Sequence, residues 1–167
     1  MRVVYVTKSD FKKKENEVFV EHCVLTDGSP IKGNFEFELR HVDVKEILEV
    51  ELESMVMDEV AKAYSEIKVP CIVKHVGPVF DPHSHCPGGL TKPMWNCLDT
   101  SFIAETGAAG RSAKARAVVA YCDGKQIRTF VGETQGTIAS SPRGSRRFYW
   151  DTVFIPDGSA NQTFKAP

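Results

Sequence analysis

Apolar residues along the chain follow two periods. Val3-Val4-Tyr5-Val6 is a largely β-branched run, which predicts a buried strand. The polar turn Thr7-Lys8-Ser9-Asp10 follows, and Ser9 or Asp10 offers an N-cap for a helix reaching His22. Asn34–Arg40 alternates Phe35, Phe37 and Leu39 with polar neighbours, the pattern of a half-buried strand. Val56, Val60, Ala63, Tyr64 and Ile67 recur at helical spacing, and that helix must end before Pro70. Cys71-Ile72-Val73 then opens a central strand that runs into Lys74-His75-Val76-Gly77. Lys92 opens a short helix carrying Met94, Trp95 and Leu98, and a further helical stretch, Phe102–Glu105, breaks at Gly107-Ala108-Ala109-Gly110. Ala113–Cys122 and Gln126–Glu133 read as strands joined at Asp123-Gly124, a hairpin signal. Strands alternating with helices predict one α/β domain over residues 1–167.

Composition narrows the partners. The chain has 167 residues, 42% hydrophobic and 26% charged, with net charge −1. That is ordinary for a globular domain and gives no global pull toward nucleic acid or an anionic membrane. Phosphate binding, if present, must be local. No run of about 18 apolar residues exists to span a bilayer, and the N-terminus reads as a strand, which places the chain in the cytoplasm. Five cysteines, an odd number without C-x-x-C, favour free thiols. His83, His85 and Cys86 lack a second ligand pair at zinc spacing and read as a surface loop.

Two stretches carry candidate chemistry. The turn after the first strand sets Thr7, Lys8, Ser9 and Lys12 at a helix N-terminus, where free N–H groups and the helix dipole favour an anion. A solvated helix start accounts for the same residues equally well. The second stretch runs from Gly132 to Pro156. Two glycines four apart and a Pro142-Arg143-Gly144 turn lead to Phe148-Tyr149-Trp150-Asp151. An aromatic can stack a base, a carboxylate can read its polar edge, and Arg143 can meet phosphate. Taken by themselves these residues also suit a core segment behind a surface loop.

The second stretch resembles the inosine triphosphate pyrophosphatase family, the noncanonical purine NTP pyrophosphatases. Gly132, Gly136 and Ile138 follow its glycine motif, and Pro142, Arg143, Gly144, Phe148, Trp150, Asp151 and Phe154 follow P-R-G-x-x-x-F-G-[YW]-D-P-x-F. Tyr149 and Thr152 depart from it. Thr7, Lys12 and Glu15 match the family's opening T-G-N-x-x-K-x-x-E, with Lys8 and Ser9 in place of Gly and Asn; Pro87, Gly88 and Lys92 match P-G-x-x-x-K. The resemblance covers nearly the whole chain but not the family's final S-H-R element. It implies a two-lobed α/β fold with a long mixed central sheet, a nucleotide cleft between the lobes, and a homodimer. It further implies phosphate contacts from Thr7, Lys8, Ser9, Lys12, Lys74, Lys92 and Arg143, and base contacts from Phe148, Tyr149, Trp150 and Asp151. Glu46 falls where the family places a magnesium-binding Glu.

One departure bears on chemistry. The family strand V-E-D-[TS]-G-L carries carboxylates for Mg²⁺ and for activating water; here Lys74 and His75 stand at those positions. A hard cation wants anionic oxygens, so the metal cradle reads as damaged, while neutral His75 remains a candidate general base. The expected function is therefore a catalytically weakened binder of ITP, dITP or XTP. Relatives of this fold act as nucleotide sensors in antiphage systems, which implies an effector protein as partner. The alternative is a working pyrophosphatase that converts NTP to NMP and pyrophosphate with Mg²⁺.

Overall fold

The computed structural model describes residues 2–81, 83, 85–144 and 149–164, the side chains of Phe11, Thr100 and Tyr149 excepted. Its elements run β1 (Arg2–Val6), α1 (Asp10–His22), β2 (Glu36–Arg40), α2 (Leu52–Ile67), β3 (Cys71–Phe80), α3 (Thr91–Leu98), α4 (Phe102–Thr106), β4 (Ser112–Cys122), β5 (Ile127–Ile138) and β6 (Phe154–Pro156). The strands form one six-stranded mixed sheet in the order β2-β1-β3-β4-β5-β6. β1 pairs in parallel with β2 and with β3, while β5 and β6 are antiparallel. The chain divides into two compact units. Met1–Glu46, Val56–Val73 and Val119–Thr129 make the first; Ile47–Met55, Lys74–Val118 and Phe130–Pro167 make the second.

In the first unit β1 lies between two parallel neighbours, so Val3, Val4, Tyr5 and Val6 are all buried. A strand covered on both faces loses the alternation of an exposed one, which is why its sequence is a continuous run. Ser9 caps α1, its Oγ accepting the Lys12 N–H at 3.4 Å. Val56, Val60 and Ala63 of α2 are fully buried. The helix ends at Ile67; the next residue, Lys68, takes φ +56° and donates its N–H to the Tyr64 carbonyl before the chain reaches Pro70. At the hairpin tip the Asp123 carboxylate accepts the N–H groups of Lys125 and Gln126 at 2.9 and 3.0 Å. Gly124 follows at φ +86°, a conformation that favours glycine, and a Cβ there would also strike the Tyr64 hydroxyl.

The second unit has its own core of Phe80, Phe102, Ile103, Ile138, Trp150, Val153 and Phe154, with Trp95 and Leu98 packed against it. β5 contains both motif glycines and runs on past Glu133 through Gly136 to Ile138, where β6 pairs with it at Gly136, Thr137 and Ile138. The aromatic segment, expected either as a socket or as core, forms a single 3-10 turn, Tyr149–Thr152, entering β6.

Candidate functional site

The turn between β1 and α1 is held by its own side chains. Thr7 Oγ1 accepts the Ser9 N–H at 3.1 Å, and Ser9 in turn caps the helix. Lys12, half-buried, sits in the first helical turn, the end of a helix whose free N–H groups favour an anion. Lys8 is exposed, and its ammonium pairs with Asp43 at 2.5 Å. That hydrogen bond raises the Lys8 pKa and lowers that of Asp43. The partner of Lys8 in this structure is thus a carboxylate from the loop after β2.

Glu46, exposed in the loop before α2, brings a carboxylate oxygen within 4.8 Å of one from Glu59, which is half-buried on α2. Two such oxygens are hard donors at a spacing one cation can bridge, so the residues present fit a divalent ion. Glu59 was not among the residues read from the sequence. It lies one position before Val60 and three after Val56, on the flank of the buried stripe rather than opposite it. That placement is the signal that could have marked it. Tyr5 is a polar tip inside an apolar run, 4% exposed, whose hydroxyl has no hydrogen-bond partner among the described residues. Cys71, at the start of β3, is also buried in this unit; burial and the neighbouring Cys122 push its thiol up to about 12, so it is no nucleophile at neutral pH.

The remaining candidates belong to the second unit. Lys74 and His75 are half-buried on β3, and Lys92 is exposed at the second position of α3. Arg143 ties its loop together: its guanidinium donates to the Asn161 carbonyl at 2.8 Å, and its backbone N–H donates to the Thr152 carbonyl at 2.8 Å. Thr163 Oγ1 donates to the Arg143 carbonyl at 3.3 Å. Trp150 is 3% exposed and packs edge-on against Phe154 at 5.8 Å and Phe164 at 6.1 Å. Asp151, the next residue, is half-buried. Phe148 and the Tyr149 side chain lie outside the described residues. His85 lies 3.8 Å from Glu51 and 3.5 Å from Arg116. Among the described residues no group of three metal-type donors includes His83, His85 or Cys86. All five cysteines are free.

Known proteins resemble this chain along nearly its whole length. Inosine triphosphate pyrophosphatase 1 of Trypanosoma cruzi is 28% identical over 166 residues, 98% of this chain and 79% of that protein. The dITP/XTP pyrophosphatase of Saccharolobus solfataricus is 31% identical over 135 residues, 77% of this chain and 69% of that one. The fold matches a HAM1 protein from Coxiella burnetii with a TM-score of 0.74 at 16% identity, covering 100% of this chain and 87% of that one. A dITP/XTP pyrophosphatase from Mycobacterium abscessus gives 0.71 at 17% identity, covering 98% and 87%. The sequence model of the Ham1 family takes in residues 3–166, and with it the β1–α1 turn, the Glu46–Glu59 pair and the Trp150–Asp151 segment: this chain belongs to the Ham1 family.

Proposed function

We propose that this protein binds purine nucleoside triphosphates with an oxygen at the six position (ITP, dITP and XTP) and hydrolyses them only slowly to monophosphate and pyrophosphate. The observation that carries this reading is Ham1 family membership over residues 3–166 combined with Lys74-His75 on β3, where the resemblance places carboxylates. The names of the relatives, inosine triphosphate and dITP/XTP pyrophosphatases, support the choice of nucleotide.

In this reading the N–H groups at the start of α1, with Thr7, Ser9 and Lys12, hold phosphate oxygens; Lys8, Lys74, Lys92 and Arg143 add positive charge. Asp151 accepts the purine N1–H that a six-oxo base carries and adenine lacks, and Phe148 and Tyr149 supply flat surfaces for the ring. Buried Trp150 backs that segment rather than facing the ligand. Glu46 and Glu59 would hold a divalent cation, Mg²⁺ in the first instance, which neutralises phosphate charge when bound. His75 takes the proton of the attacking water. An imidazole there is a weaker arrangement than the paired carboxylates, and losing a well-placed base typically costs about 10²–10⁴-fold. The same reading makes the protein a homodimer that reports bound nucleotide to an effector protein, as antiphage sensing systems do.

A second reading, an enzyme of full activity, is favoured by the Glu46–Glu59 pair. Incubation with ITP, dITP or ATP and Mg²⁺, followed by chromatography of free and protein-bound nucleotide, separates the two. Intact dITP should be retained in preference to ATP, with monophosphate appearing far below about 1 s⁻¹. Turnover at that rate establishes the second reading, and equal retention of ATP overturns the assignment of the base.

A further inference from the structure

Arg143 binds two stretches of the second unit together. Its backbone N–H donates to the Thr152 carbonyl at 2.8 Å, which reaches the 3-10 turn that carries Asp151. Its guanidinium Nη1 donates to the Asn161 carbonyl at 2.8 Å, and its own carbonyl accepts from Thr163 Oγ1 at 3.3 Å. These last two bonds hold the segment after β6, and that segment returns to the same turn. The Phe164 N–H donates to the Phe154 carbonyl at 3.2 Å, and the Phe164 ring stacks on Phe154 at 5.1 Å and meets Trp150 at 6.1 Å. Asp151 therefore sits between Trp150 and Thr152, both buried and both fixed by this arrangement. The segment is also held against a backbone preference. Ala160 and Asn161 are consecutive at φ +51° and +67°. Asparagine tolerates that region, whereas alanine has a Cβ and no polar side chain to bond locally. Such a conformation persists where its surroundings over-determine it, and the guanidinium on the Asn161 carbonyl is one such restraint.

We infer that Arg143 is a positioning residue for base recognition: through the strap of residues 157–164 it fixes the Trp150–Thr152 turn, and with it the aim of the Asp151 carboxylate. The inference rests on the base role proposed above for Asp151. A carboxylate tells a six-oxo purine from adenine only by meeting N1–H along a hydrogen-bond direction, so its aim decides selectivity. A contact to phosphate acts differently, because it strengthens nucleotides of either base alike.

The test uses the full chain in wild-type, Arg143→Met and Thr163→Val forms. Thr163→Val removes one bond of the strap and leaves the Arg143 charge in place. Calorimetry gives the affinity of each for dIMP, dAMP and inorganic pyrophosphate, and thermal melting checks that each is folded. The preference for dIMP over dAMP should fall about fivefold or more in Arg143→Met, the share of selectivity that one hydrogen bond to a charged group supplies. Thr163→Val should lower it in the same direction with pyrophosphate affinity unchanged. If Arg143→Met weakens dIMP, dAMP and pyrophosphate by one common factor, the residue acts on phosphate and the inference is overturned. An unchanged preference in Thr163→Val also overturns it, and that variant alone decides the matter if Arg143→Met does not fold. Wild type that binds dIMP and dAMP equally refutes the base role of Asp151 itself, and the inference falls with it.

Discussion

Gly132 and Gly136 share one motif, yet the structure gives them opposite roles, and substituting alanine at each should show it. Both lie in β5, and neither adopts a positive φ. A Cβ at Gly132 would meet nothing within 4 Å. There Gly132→Ala should gain the usual benefit of a less flexible unfolded chain, about 0.4–1 kcal/mol. A Cβ at Gly136 would run into the Ile155 carbonyl oxygen and lie 2.7 Å from Phe154 Cζ. The first obstacle is backbone, which no rotamer change relieves. β6 must then move away from β5, and it pairs through only Gly136–Pro156, Thr137–Ile155 and Ile138–Phe154. Phe154 is fully buried in the core of the second unit and cannot move without disturbing Trp150, which packs on it. Overpacking of this kind costs about 1–3 kcal/mol; less the unfolded-state gain, the net loss is up to about 2.6 kcal/mol. For a chain of this size that lowers the melting temperature by up to about 10 °C, whereas Gly132→Ala should raise it by about 1–4 °C. Thermal unfolding followed by circular dichroism measures both. Gly136→Ala melting at or above wild type would refute the close-approach argument, and Gly132→Ala melting as low as Gly136→Ala would show that strand flexibility, not contact, sets the effect.

Two further outcomes follow from named contacts. Phe148→Ala should weaken every purine triphosphate by a similar factor, about fivefold or more, because stacking is indifferent to the polar edge; Asp151→Asn should mainly erode the preference for dITP over ATP, and calorimetry with both nucleotides distinguishes the two roles. The Asp123 carboxylate is held below the ordinary range by the Lys125 and Gln126 N–H groups. Its contribution to stability is therefore present above the unfolded value and lost as pH falls through the folded one. Asp123→Asn should show a smaller drop in urea midpoint between pH 7 and pH 3 than wild type does; an unchanged drop would show that the turn does not depend on this charge.

Local chemistry made much of the fold legible. Ser9 caps α1 because a hydroxyl at that position answers a free N–H three residues on, whatever surrounds it. The turn at Asp123-Gly124 is likewise a local event. The end of β5 was less accessible. The strand read over Gln126–Glu133 continues to Ile138 in the structure, and its last three residues, Gly136, Thr137 and Ile138, are paired by β6, a contact the local pattern does not reveal. Trp150 illustrates the same limit from the opposite side. In the sequence it is one of three aromatics beside a carboxylate, and only Phe154 and Phe164, packed edge-on against it, show that it belongs to the core.

The metal question turns on this difference between sequence and space. Counted along β3 alone, Lys74 and His75 remove the carboxylates that a Mg²⁺ site needs, and the cradle reads as damaged. The structure supplies a carboxylate from another element: Glu59 of α2, close to Glu46 of the preceding loop. Mg²⁺ typically takes one or two carboxylates, with water and substrate phosphate completing its shell, so two are enough to retain it. On the proposed reading Lys74 and His75 affect a different step, the choice of group that accepts a proton from the attacking water, and cation binding is left to Glu46 and Glu59. On this argument affinity for cation and triphosphate persists while turnover falls. Lys74→Glu combined with His75→Asp should therefore raise hydrolysis without a comparable change in the Mn²⁺ affinity of the nucleotide-free protein. A large gain in that affinity would instead show that β3 carries the missing ligands and that Glu46 and Glu59 do not suffice.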